Sequence, residues 1–234
     1  MAMQTHSLSK GERTKEKIKV VALKLFAQNG LESVSVRDIN RAAGQKNAGS
    51  INYHFSSRDD LIRELMVDVA KAIDREHLRR ITEAEAQGGP HSIRDVVDIL
   101  VATPSLSTDR RFQSDYSLRF LNLAVMSRRE MLFDAMRGED VGTRKCLAHI
   151  ARLAPGMPPE LLRQRLTLMM IYLFSAASSR EEALNATSGR IWERLWGNSS
   201  ARENLTDTIV GIICAPVSAE TMSCLAAEKG ASRP

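Results

Sequence analysis

Residues 22–44, ALKLFAQNGLESVSVRDINRAAG, followed after five residues by 50–62, SINYHFSSRDDLI, decide the fold. The first helix is already under way when this stretch begins. Ile18, Val21, Ala22, Leu25 and Phe26 recur at i, i+3, i+4, i+7 and i+8, the spacing of one buried helix face. Gly30 ends it. Ser35 with Asp38 three residues on makes a capping box, and Val36, Ile39 and Ala43 carry a second, short helix that stops at Gly44. Within 45–55, Ile51 and Phe55 at i, i+4 give a third short helix two apolar anchors and leave its other face polar. Ser57 then caps a fourth helix, with Leu61, Ile62, Leu65, Met66, Val69, Ala70 and Ile73 inward, running to about residue 85.

Two short helices meeting at Ala43-Gly44 form a helix-turn-helix, whose second helix fits a major groove about 12 Å wide. That helix offers Lys46, Asn47, Ser50, Asn52, Tyr53 and His54. Asparagine can pair bidentately with adenine, whereas Ser, Tyr and Lys more often bind phosphate. His54 can donate to a phosphate or turn inward to a core acceptor. Charge distribution agrees with a polyanion partner: residues 1–58 hold ten Lys/Arg against four Asp/Glu, while the whole chain is only +5.

The run from Arg13 to Leu65 resembles the N-terminal domain of the tetracycline-repressor (TetR) family of bacterial transcription regulators. The resemblance rests on the NG stop, the S-V-R-D-I helix, the A-A-G turn, the aromatic helix ending in Phe55 and the S-R-D-D-L segment. It implies that Ser35 contacts phosphate at the start of helix two and that Arg37 and Arg41 lie near the groove. Asn47, Ser50 and Asn52 then face base edges, with Lys46 on the same helix, while Tyr53, His54 and Arg58 clamp phosphates. The interval from Gly44 to Phe55 is one residue longer than the family's usual spacing, and Asn52 stands where a tyrosine is common.

Beyond the head, 234 residues with 43% hydrophobic and 26% charged side chains suffice for a packed body without staples. Few aromatics and helical periodicity throughout make the chain all-α, with an N-terminal three-helix helix-turn-helix domain (1–58), a helical C-terminal domain (59–215) that the resemblance implies is for ligand binding and dimerisation, and a flexible tail (216–234). After Gly88-Gly89-Pro90 the pattern gives helices at about 92–101, from 109 onward, over 129–153 with a bend at Gly138 or Gly142, and over 158–179 and 201–214. The segment 166–177 is apolar almost all round, which calls for partners on every side, and the resemblance implies that helices 159–179 and 201–214 pair with those of a second copy. It also implies an apolar effector among the middle helices, with Phe112, Tyr116, Arg119, Phe120, Asn122, Met126 and Met136 as lining.

No GxSxG, GxGxxG, P-loop or HExxH occurs, the five histidines are scattered and the three cysteines form no metal-ligand spacing, so the sequence argues against an enzyme, a cofactor or a metal. The N-terminus lacks an apolar leader and 166–177 is too short to span a bilayer, which points to the cytoplasm. The expected function is a repressor that binds a pseudo-palindromic duplex as a homodimer and is released by a small ligand. The alternative is a constitutive or architectural DNA-binding protein without an effector.

Overall fold

In the computed structural model, residues 9–45, 50–102, 116–154, 156–185, 195–196 and 198–231 are described, and among these every regular element is a helix. Serine caps organise the first half of the chain. Helix α1 (Lys10–Asn29) opens on a Ser9–Glu12 capping box, α2 (Val36–Ala42) on Ser35–Asp38, and α5 (Ile93–Val101) on Ser92–Asp95. The Ser57 hydroxyl accepts from the Asp60 amide at the start of α4 (Arg58–Ala86). Between them lies α3 (Ser50–His54).

The body adds α6 (Ser117–Ala135), α7 (Val141–Leu153), α8 (Pro159–Asn185), α9 (Ser199–Cys214) and α10 (Ala219–Ala231). Two apolar clusters hold these together. One runs from Ile18, Phe26, Ile39, Ile51 and Phe55 through Leu61, Ile62, Leu65 and Met66 of α4 to Phe120, Leu121 and Ala124 of α6. Head and body therefore share a core, and the Phe26 and Phe120 rings meet at 6.1 Å. The other joins Ile81, Val96, Leu100, Cys146, Ile150, Met169, Leu173, Ile209 and Ile213. Burial pushes the Cys146 thiol up to about 12.

The centre of the molecule is a seam between α4 and α7. A β-carbon on Gly142 would lie 2.4 Å from the Asp74 carbonyl oxygen and 2.4 Å from the Leu78 nitrogen, so only glycine admits this approach. The buried Asp74 carboxylate accepts from the Gly142 and Thr143 amides at 3.0 and 2.7 Å and thereby caps α7 from another helix. His77, buried beside it, lies 3.0 Å from the Thr143 hydroxyl. Desolvation holds its imidazole down at about 4 despite the neighbouring Asp74 charge.

Three expectations change. The single helix over 129–153 is two, because Gly138 takes φ +85° and ends the first, while Gly142 marks close packing rather than a bend. Helix α6 instead departs from helical geometry at Arg128 (φ −139°, ψ 39°), just after the Ser127 hydroxyl donates to the Leu123 carbonyl. The stretch expected as a loose tail from 216 is helical over Ala219–Ala231, where Ser218 accepts from the Thr221 amide, Lys229 pairs with Glu160 of α8 at 3.3 Å and Leu225 is buried.

Candidate nucleic-acid interface

The turn that ends α2 follows from one glycine. Gly44 sits at φ +67°, its amide donates to the Arg41 carbonyl, and the Gln45 amide reaches back to the Asn40 carbonyl at 2.9 Å. Helix α3 is then pinned by its two anchors, Ile51 and Phe55, both buried. Pinning one side turns the other out: Tyr53 is 84% exposed. The His54 ring stands half-buried between its neighbours, with centroids 5.0 Å from Tyr53 and 6.5 Å from Phe55.

On α2, Arg37 and Arg41 are both exposed. Arg41 reaches Asp38 at 3.1 Å, an ion pair between exposed groups that a phosphate can displace at little cost. Ser35 is already engaged. Its hydroxyl donates to the Asp38 carboxylate and accepts from the Asp38 amide, which holds the Asp38 carboxyl below the usual carboxylate range.

Arg58, expected from the resemblance to clamp a phosphate, is half-buried and engaged within the head. Its guanidinium donates to the Val34 carbonyl at 3.0 Å and to the Leu31 carbonyl, and it stands 5.5 Å over the Phe26 ring. Two carbonyls of the α1–α2 loop need a donor, and a planar fork at the start of α4 supplies one. It is a staple inside the head. Lys46 and Asn47 lie outside the described residues, and of Ser50 and Asn52 only the backbone is described.

The expected ligand-lining set is divided. Phe120 is fully buried at the junction between head and body, and the Tyr116 hydroxyl accepts from Gln28 of α1 at 3.0 Å. Arg119 pairs with Glu182 at 2.6 Å, Met126 is exposed, Met136 is buried and Phe112 lies outside the described residues. Asn122 is half-buried, and its Oδ1 is sealed from solvent without a hydrogen-bond partner among the described residues.

Sequence reasoning missed the contacts that join this interface to the body. Arg128, at the break in α6, pairs with Glu32 of the α1–α2 loop and with Asp59 in the first turn of α4, each at 2.9 Å. It also missed Lys19, buried 45 residues before its partner Glu64 in α4 and paired with Asp68 as well. Burial penalises that ammonium, yet the two carboxylates outweigh the penalty and raise its pKa. Neither link has a local signal, because each partner lies in another element.

Among the described residues no cluster of His, Cys, Asp and Glu is placed to hold a metal, and no single helix is long and apolar enough to cross a membrane. Residues 18–65 match the family described as bacterial regulatory proteins, tetR family. The chain is 25% identical over 177 residues to the HTH-type transcriptional regulator AcrR of Shigella flexneri, covering 72% of this chain and 78% of that one. A solved structure of a tetR family transcription regulator from Shewanella sp. PV-4 superposes with a TM-score of 0.60 at 15% identity, over 85% of this chain and 96% of the other.

Proposed function

We propose that this chain, whose residues 18–65 match the tetR family of bacterial regulatory proteins, is a DNA-binding transcription regulator of that kind: a homodimeric repressor released from its operator by a small apolar ligand. The observation that carries the DNA side is the α2–α3 pair. Gly44 sets the turn that ends α2, Ile51 and Phe55 fix α3, Tyr53 projects into solvent, and Arg37 and Arg41 of α2 are exposed. Such a helix enters a major groove, with the arginines and tyrosine on phosphates and Asn47 and Asn52 at base edges.

Helix α8 supports the dimer. Met169, Leu173 and Ala176 are buried against the second core cluster, whereas Leu168, Ile171 and Tyr172 stay exposed at i, i+3, i+4 on the other side. A second α8 covers that stripe and places two heads on half-sites about 34 Å apart or slightly more. For the effector, the sealed Asn122 oxygen is an acceptor awaiting a donor, which suits a carbon-rich molecule with one hydroxyl or amide group. Phe120 and Tyr116 are committed to docking the head, and that observation favours the second reading, a binder without effector.

The test is an operator selected from random duplexes. A two-fold symmetric site bound by a dimer is expected, with Tyr53→Ala weakening every duplex alike; selection of no duplex, or a monomer at micromolar concentration, overturns the reading. A thermal-shift screen of lipophilic molecules separates effector from no effector, since a ligand at 100 times its Kd adds about 2.7 kcal/mol.

A further inference from the structure

Helix α1 carries its cations on two sides, and the sides are treated differently. Lys15 and Lys19 face α4 and are neutralised there: Lys15 pairs with Glu64 at 2.8 Å, Lys19 with Glu64 at 3.1 Å and with Asp68. Lys10, Arg13 and Lys17 recur at i, i+3 and i+7, share the opposite, solvent-facing side, and are all exposed. Among the described residues none of these three has a carboxylate partner. The two acids nearby in sequence are used elsewhere, Glu12 by the Ser9 amide and Glu16 by Lys19.

The strip has a fixed place relative to the helix-turn-helix. The Lys17 ammonium lies 3.6 Å from where a β-carbon on Gly44 would stand, at the turn that leads into α3. From there the strip runs about 10 Å along α1 to Lys10. It stops at Lys17 in the other direction, because the next cation on that side, Lys24, has its ammonium over the Tyr116 ring, 5.5 Å from the centroid.

We propose that Lys10, Arg13 and Lys17 form a second phosphate-binding strip, continuous with the α2–α3 pair, that grips the backbone of the same duplex beside the groove α3 enters. The inference rests on the DNA-binding reading and extends it to an element that reading leaves out. Three unneutralised cations adjoining the recognition turn match a polyanion, and their exposure leaves them free to release its counterions. Placed along the phosphate backbone and not in the groove, they add affinity without sequence preference.

The experiment uses the full chain and a mixed-sequence 40-base-pair duplex, titrated by fluorescence anisotropy from about 50 to 200 mM salt. Lys10→Ala/Arg13→Ala/Lys17→Ala is expected to weaken binding at least about tenfold at the low-salt end and to flatten the log–log salt slope by about 0.9 per phosphate lost. The charge-keeping Lys10→Arg/Lys17→Arg restores both, and far-ultraviolet circular dichroism stays unchanged throughout. A control, Arg137→Ala/Arg144→Ala/Arg202→Ala, removes the same charge from the body and leaves the slope alone. The proposal is overturned if the α1 variant keeps the wild-type slope, or if the control lowers it equally, which makes the effect one of net charge. Absence of salt-dependent binding by the wild-type chain overturns the DNA-binding reading itself, and is told apart because no variant is then needed to see it.

Discussion

Helix α4 is held by two seams of opposite character. Along its middle, Asp74 to Leu78 meet Gly142 of α7 with backbone nearly against backbone, and a buried carboxylate caps the facing helix. Along its first turns it shares a side-chain core with α1 and α6, through Leu61, Ile62, Leu65 and Met66, rimmed by ion pairs through Lys15, Lys19 and Arg128, several with half-exposed partners. A backbone seam has one workable geometry, since a shift of an ångström opens a gap or a clash. Ion pairs between long side chains tolerate such a shift. The body side of α4, where backbone meets backbone, is therefore the more tightly specified of the two, and the rim of the head side is where side chains can re-form their contacts after a small displacement.

The most damaging way to break this contrast is at Gly142. Gly142→Leu places a β-carbon inside van der Waals contact of α4 backbone, so α7 must move; we expect a loss of at least about 3 kcal/mol, seen as a lower urea midpoint at unchanged m. A midpoint within error of wild type sinks the fixed-seam view. The second test is acid. His77 is held down at about 4 against an ordinary value near 6.5, so the unfolded chain binds the extra proton. Stability is full above about pH 6.5 and falls as pH drops toward 4, by up to about 3 kcal/mol, and His77→Gln removes that slope. Below this window Glu76 follows, held at about 2 chiefly by hydrogen bonds from Arg79 against its burial and aided by Arg80.

Asp74→Ala sharpens the same seam by leaving the Gly142 and Thr143 amides without their acceptor, at a cost of about 1–3 kcal/mol. At the other seam the effect on stability is smallest. Arg128→Ala is expected to change the unfolding free energy by less than about 1 kcal/mol, because Glu32 and Asp59 are largely exposed, while altering DNA affinity or its response to ligand. If Arg128→Ala destabilises as much as Gly142→Leu, the two seams do not differ.

The head was legible because its instructions are local. Ser35 finds Asp38 three residues away, Gly44 needs no partner to take φ +67°, and Ile51 and Phe55 lie one turn apart. What escaped was set across the fold. Arg58 reads as a surface cation until Leu31 and Val34 present carbonyls to it, and Gly142 reads as a breaker until α4 arrives. The departure at Arg128 carries no Pro or Gly. Helix α10 escaped for a related reason: its apolar residues make no continuous stripe, so only the docking of Leu225 and Lys229 shows where it rests.

The three thiols turn these differences into a clock that needs no engineering. Cys214 and Cys224 are exposed, whereas Cys146 is enclosed in α7 behind the α4 seam with its thiolate suppressed. A thiol reagent added to the native protein therefore consumes two groups promptly and the third only when α7 lifts from its bed. The rate of that third event, followed by mass, measures how often the centre of the molecule opens, separately from anything the DNA-facing end is doing.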